Sequence, residues 1–127
     1  MSIRVVDFSA AAAEPILAYA SVSAAAVPLG HGAGESHVYA VHLGAGGEIG
    51  RHPAGFDQLF LVVRGSGWVA GSNGVRHALA ALQGAFIPKG EHHAKGSETG
   101  LVALMVQAGS LDREPGAMPP GARADGE

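Results

Sequence analysis

Short apolar runs separated by glycine-rich turns make up most of the chain. Residues 59–63 read LFLVV, which is apolar at every position and predicts a central strand covered on both faces. The Asn73-Gly74 pair favours a tight hairpin turn between two further runs. Strands are predicted at residues 3–6, 36–43, 59–63, 68–70, 75–79, 85–87 and 101–106. This spacing predicts an all-β jelly-roll barrel of the double-stranded β-helix type.

The barrel is expected over residues 36–111, between an arm and a tail. Residues 1–35 predict a short N-terminal arm with edge strands, in which Ser9 caps one helical turn that ends before Pro15. The Ala-rich residues 19–27 alternate poorly and predict an extended segment. Residues 112–127 hold three prolines, three glycines and few large apolar side chains, so they predict a flexible tail.

Composition narrows the class of protein. The 127 residues suit one domain with a single core, and 20 glycines with 15% charged residues suit a β-protein rich in turns. Residues 1–111 contain seven acidic and six basic side chains, so no positive field is expected to attract nucleic acid or a membrane surface. The absence of cysteine excludes a thiolate metal site and a thiol nucleophile. The sequence has neither a signal-peptide pattern nor an apolar stretch of about 18 residues, which predicts a cytoplasmic protein.

Two motifs carry the candidate chemistry. The first reads G-x5-H-x-A-x3-Q-x6-G over residues 46–65, and the second reads P-x-G-x2-H over residues 88–93. Their spacings resemble the cupin family, whose motifs read G-x5-H-x-H-x3-4-E-x6-G and P-x-G-x2-H-x3-N. The chain departs from the first motif at two positions, because Ala54 stands in place of the second His and Gln58 in place of the Glu.

The resemblance implies a divalent metal at the mouth of the barrel, with Fe, Mn, Ni, Zn and Cu as candidates. His52, Gln58 and His93 match three of the four liganding positions. Two imidazoles can bind such ions, but a neutral amide in place of a carboxylate and the lack of a ligand at Ala54 weaken the site. Each of these polar residues alone also suits ordinary hydrogen bonding at a barrel rim. His42, on the adjoining strand, is a candidate for the missing ligand if its face of that strand lines the lumen.

A mainly apolar cavity with a few polar groups is the usual make-up of a small-ligand site. Phe60 and Val62 share strand parity with Gln58, so they are predicted to face the lumen. The large side chains predicted to line the pocket are Phe60, Val62, Trp68, Phe86 and Met105. Ordinary core packing is the alternative for each of them.

Two functions are consistent with this pattern. The first is a small-molecule-binding cupin with a weak or atypical divalent-metal site, acting as an oxygenase or isomerase. The second is a metal-free cupin that binds or senses a small organic ligand without catalysis. No nucleophile elbow, phosphate loop or dinucleotide fingerprint occurs in the sequence, and no catalytic residue is assigned. A homodimer is expected, because the resemblance implies it and the N-terminal arm could add a strand to a neighbour's sheet.

Overall fold

The computed structural model describes residues 3–112, which form two antiparallel sheets and a two-stranded ribbon. The strands are β1 (Arg4–Asp7), β2 (Glu14–Pro15), β3 (Ala25–Ala26), β4 (His31–Leu43), β5 (Glu48–Pro53), β6 (Asp57–Gly65), β7 (Gly67–Ala70), β8 (Arg76–Leu79), β9 (Gln83–Ile87), β10 (His92–Gly96) and β11 (Leu101–Asp112). Short 3₁₀ turns lie at Ala10–Ala12 and Ala18–Ala20. Within residues 3–112 no helix is long and apolar enough to cross a membrane. The prediction of an all-β fold is confirmed.

Two sheets face each other across one apolar core. One has the strand order β1-β9-β6-β11-β4 and the other has the order β5-β10-β7-β8. Phe60 and Val62 from the five-stranded sheet pack in the same buried cluster as Val69 and Leu79 from the four-stranded sheet. Two antiparallel sheets with a shared interior form the jelly-roll architecture that the sequence predicts.

The five-stranded sheet is also buried on its outer face. Leu59 and Leu61 alternate with the inward Phe60 along β6, and they pack with Phe86 in a second cluster. Phe8 and Leu29 from the N-terminal segment pack against this cluster. Residues 59–62 are therefore apolar at every step because both faces of the strand are covered there, whereas Val63 is exposed.

Two strands extend farther than their sequences predict. β4 already begins at His31 and runs antiparallel to β11, in which Asp112 lies opposite His31. The boundary at residue 36 between arm and barrel stays a prediction. The predicted flexible tail lies outside the described residues, apart from Asp112, which ends β11.

Candidate functional site

Direct cross-strand pairing brings the two motif histidines to one face of the four-stranded sheet, and a β-bulge lies next to them. In the pairing of β5 with β10, His52 lies opposite His93 and Ile49 lies opposite Lys95. β5 therefore carries one extra residue between these pairs. Because of the bulge, Ile49 and His52 face the same side, although residues three apart on a regular strand would face opposite sides. Lys95 also lies opposite Val69 of the inner core, so this side is the barrel interior.

His93 is fully buried and presents one ring nitrogen to the interior. Its Nδ1 lies 3.1 Å from the carbonyl oxygen of Glu91. A carbonyl oxygen only accepts, so Nδ1 carries the proton and Nε2 offers its lone pair. Burial, followed by the charge of Lys95, lowers the pKa of His93 to about 4. The ring is therefore neutral at pH 7.

His52 is the solvent-exposed member of the histidine pair. Its Nδ1 lies 2.7 Å from the carbonyl oxygen of Gly50, which fixes the same tautomer as in His93. The two ring centres are 4.6 Å apart, with the planes tilted by 53°. Two neighbouring strands thus supply adjacent imidazoles, each of which donates its Nδ1 proton to a backbone carbonyl.

Lys95 places a positive charge beside these imidazoles. Its side chain is 1% exposed, and its Nζ lies 2.9 Å from Nε2 of His93. The same Nζ lies 5.3 Å from the centre of the Phe60 ring. Burial lowers the pKa of Lys95 to about 8, so the ammonium form still predominates at pH 7 and donates to His93. No carboxylate among residues 3–112 forms an ion pair with it.

Lys95 is the site residue that the motifs did not indicate. The family pattern assigns no role to the position two residues after the second-motif histidine. Strand alternation does carry a signal, because Lys95 has the same parity as His93 on β10 and must face the same side.

Gln58 lies on the inner face of β6, two residues before Phe60 and four before Val62. Its side chain is 1% exposed, and its Oε1 atom has no hydrogen-bond partner among the described residues. A buried acceptor left unpaired costs about 1–3 kcal/mol, so a protein that retains one usually has a use for it. Ala54, at the position of the family's second His, is buried at the same core.

His42 does not reach this site. Its neighbours Val41 and Leu43 pack against the inner core, which turns the alternating His42 side chain to the outer face of β4. The side chain is exposed there. The lumen-facing placement on which its role as a replacement ligand depended is therefore wrong.

The predicted pocket residues divide between the two faces of the barrel. Phe60 and Val62 face the interior as predicted, and Met105 lies opposite Phe60 and packs against the same cluster. Phe86 instead belongs to the outer cluster, because it pairs with outward-facing Leu59.

Trp68 also lies outside the lumen. Its neighbour Val69 is in the inner core, so the indole points to the opposite face of β7. There the guanidinium carbon of Arg76 lies 3.7 Å from the centre of the ring, in cation–π geometry. The prediction that Trp68 and Phe86 line the ligand pocket is therefore wrong.

Glu91 does not supply the missing carboxylate. Its Oε2 accepts hydrogen bonds from the backbone nitrogen and from Oγ of Ser72, at 3.1 and 2.8 Å. These bonds, led by the one from the backbone, hold the pKa of Glu91 below its ordinary value. The carboxylate thus ties the turn between β7 and β8 to the start of β10.

Solved structures share this arrangement of sheets. A conserved protein of unknown function from Streptococcus pyogenes aligns with a TM-score of 0.55 and 23% identity, over 59% of this chain and 65% of that chain. A cupin-like protein from Thermotoga maritima aligns with a TM-score of 0.56 and 20% identity, over 61% and 63%. An RmlC-like cupin from Shewanella frigidimarina aligns with a TM-score of 0.55 and 24% identity, over 60% and 68%. The chain has a cupin fold.

At these identities the likeness concerns the cupin fold alone. The chain spans less than two thirds of the Streptococcus and Thermotoga proteins. No protein-family model matches the sequence, and no curated protein is similar to it. The function must therefore be argued from the residues at the mouth of this cupin barrel.

A divalent ion does not fit the donor set of this barrel. It would bind the Nε2 lone pairs of His52 and His93, but the Lys95 ammonium already donates to the second of these at 2.9 Å. The ammonium would also repel a second positive charge placed there. Gln58 offers no neutralising charge and Ala54 offers no ligand. Within residues 3–112 no three histidine or acidic side chains are grouped to hold an ion.

Proposed function

We propose that this cupin binds a small organic ligand at the mouth of its barrel, without a divalent metal and without catalysis. The observation that carries the proposal is the 2.9 Å contact between Lys95 Nζ and His93 Nε2. It places a protein-borne positive charge on the nitrogen that the family motif would offer to a metal. The charge that a metal would bring to the site is then already supplied by the chain.

The composition of the interior supports a binding role. Phe60, Val62 and Met105 form an apolar wall on the five-stranded sheet, and the buried polar groups Gln58 and Lys95 lie among them. Few polar groups in an apolar setting are typical of small-ligand sites. A buried acceptor without a partner, such as Gln58 Oε1, lowers stability, so a ligand explains its presence better than folding does.

Metal content tests this function directly. Protein purified without a histidine tag is expected to carry far less than one equivalent of Fe, Mn, Ni, Zn or Cu by elemental analysis. Titration with Ni, Zn and Mn is expected to give no stoichiometric binding to the barrel. One equivalent of metal that is lost in His93→Ala and kept in His92→Ala would overturn the proposal. His92 is the matched control because it is exposed on the same strand.

A second candidate function is a cupin with a weak divalent-metal site, acting as an oxygenase or isomerase. The paired imidazoles favour it, since their ring centres are only 4.6 Å apart and backbone carbonyls fix both Nδ1 protons. This function requires Lys95 to leave His93 when the ion binds. The same elemental analysis decides between the two functions.

We also propose a homodimer formed through the outer face of β4, in a protein that we place in the cytoplasm. β4 is an edge strand, and its outward Val38 is 69% exposed; Leu104 of β11, which lies opposite Ala40 on the same outer face, is 42% exposed. An exposed apolar edge of this kind is commonly covered by a second copy. Light scattering at tens of micromolar tests it, with dimer expected for the natural chain and monomer for Val38→Lys. A monomeric mass for the natural chain would refute it.

A further inference from the structure

We propose that the ligand is a small organic anion that carries both a carboxylate and a hydrogen-bond donor such as a hydroxyl group. Its carboxylate would pair with the Lys95 ammonium, and its donor would bond to Oε1 of Gln58. This assignment rests on the proposed function and names the chemical class of the ligand.

The buried charge of Lys95 requires the carboxylate. The ammonium is 1% exposed, and its polar partner among residues 3–112 is the neutral imidazole of His93. A neutral imidazole accepts one hydrogen bond but brings no negative charge. An ammonium offers three donors, so it can hold His93 and still bind a carboxylate. In an interior of low dielectric an anion is the partner that offsets the cost of burying a cation.

The unpaired oxygen of Gln58 requires the donor. Its Oε1 atom accepts nothing from residues 3–112, although the side chain is buried. A simple carboxylate would face this oxygen with another acceptor and would leave it unpaired. A hydroxyl or N–H group on the ligand would donate a hydrogen bond to this oxygen. An analogue without such a group would leave the oxygen unpaired and would therefore bind more weakly.

The ring of Phe60 relates the two polar groups. Gln58 lies two residues before it on the same face of β6, and Lys95 Nζ lies 5.3 Å from the ring centre. Both polar groups thus lie on the side of the interior that the Phe60 ring occupies. Glycolate and lactate, which carry a carboxylate and a hydroxyl on neighbouring carbons, are the simplest probes of this class.

We place the entry to Lys95 beside the ring of His52. His52 is the exposed partner in the imidazole pair, whereas His93 and Lys95 are buried behind it. Replacing His52 with Ala is therefore expected to speed association and dissociation together, with a smaller change in the equilibrium constant.

The test is calorimetric titration of the full chain at constant ionic strength with glycolate, L-lactate, acetate and 1,2-propanediol. The expected order of affinity places the two hydroxy acids above acetate, and acetate above the uncharged diol. Lys95→Met is expected to weaken glycolate binding about tenfold or more, because a charge-assisted hydrogen bond is lost. Lys89→Met is the matched control, since Lys89 is exposed in the turn before β10. Gln58→Met is expected to bring glycolate down to the affinity of acetate.

A ligand-induced shift of the His93 ring signals in the NMR spectrum of the natural chain provides a readout that does not depend on a variant folding. The inference is overturned if neither hydroxy acid binds saturably or shifts these signals. It is equally overturned if the diol binds as tightly as the acids, or if Lys95→Met binds glycolate unchanged. Stoichiometric metal in the natural chain would instead refute the proposed function, so the two failures are distinguishable.

Discussion

The two faces of β6 are both buried, yet they hold different kinds of residue. The outer face presents Leu59 and Leu61 to Phe86 and the N-terminal segment, with apolar contacts throughout. The inner face presents Gln58, with an unpaired oxygen, to an interior that also contains the charge of Lys95. Burial on the outer face stabilises the fold, whereas the polar groups of the inner face cost stability. Both faces therefore contribute apolar packing, and the inner face differs in that it also holds buried polar groups, which is where we propose that the ligand binds.

The largest expected effect comes from the outer face. Phe86→Ala is expected to lower the free energy of unfolding by about 3–5 kcal/mol, since it removes a buried ring from the cluster with Leu59 and Leu61. Urea denaturation measures the change. Val75→Ala is the control at an exposed position and should change stability by less than about 0.5 kcal/mol. Unchanged stability together with lost ligand binding would return Phe86 to the lumen.

A second prediction concerns the inner face and alkaline pH. The pKa of Lys95 is about 8 in the folded chain against an ordinary 10.5, so between these values the unfolded chain binds a proton that the folded chain does not. Stability attributable to Lys95 should therefore rise with pH from 8 to 10.5, by about 3 kcal/mol, and should be lost as pH falls back through 8.

The difference in unfolding free energy between the natural chain and Lys95→Met, measured across this pH window, isolates the effect from other titrating groups. The Met variant should be as stable as the natural chain or more so at pH 7, because it removes a buried charge without a carboxylate partner. A pH-independent difference would mean that Lys95 is solvated like a surface lysine.

A third prediction rebuilds a metal site on the inner face. Ala54→His with Gln58→Glu restores the residues of the family motif, and a carboxylate adds the charge that an amide lacks. In the natural background the gain in Zn or Ni affinity should be small, because Lys95 still holds His93. Adding Lys95→Met should raise affinity at least about tenfold further. Calorimetry on the four combinations gives the coupling, and equal affinities with and without Lys95 would show that it does not compete with metal.

Much of the fold was predictable, because the strongest apolar runs lie in central strands such as β6 and β11. The strands that carry the site were harder to predict. β5 and β10 read EIGRHP and HHAKG, which lack an apolar alternation, and only the motif spacing located His52 and His93 within them. A strand that contributes polar side chains to the interior does not show the alternation of a strand that contributes apolar ones.

The differences between the predicted site and the observed one have specific physical causes. Residue type alone places Lys95 on the surface, because lysine is almost never buried; its shared parity with His93 on β10 is the opposing signal. For His42, sequence alternation showed which residues share a face, but the face that lines the lumen depends on tertiary packing. Trp68 and Phe86 are large and apolar, and size does not tell an inner core from an outer one when a sheet is covered on both sides.

The smallest expected effect separates the outer surface of the four-stranded sheet from its interior. Arg76→Ala removes the cation–π contact with Trp68 and an exposed ion pair with Glu48, whose closest atoms are 3.6 Å apart. Exposed interactions of these kinds contribute about 1 kcal/mol or less, so the variant should lose no more than that and should bind glycolate as the natural chain does.

Trp68 is the chain's single tryptophan, so its fluorescence reports this surface. The emission should change in Arg76→Ala and stay constant when glycolate is added. Arg64→Ala, also at an exposed arginine, is the control that should leave the emission unaltered. Quenching by glycolate would place Trp68 against the ligand after all, and would mean that the lumen opens toward the outer face of β7.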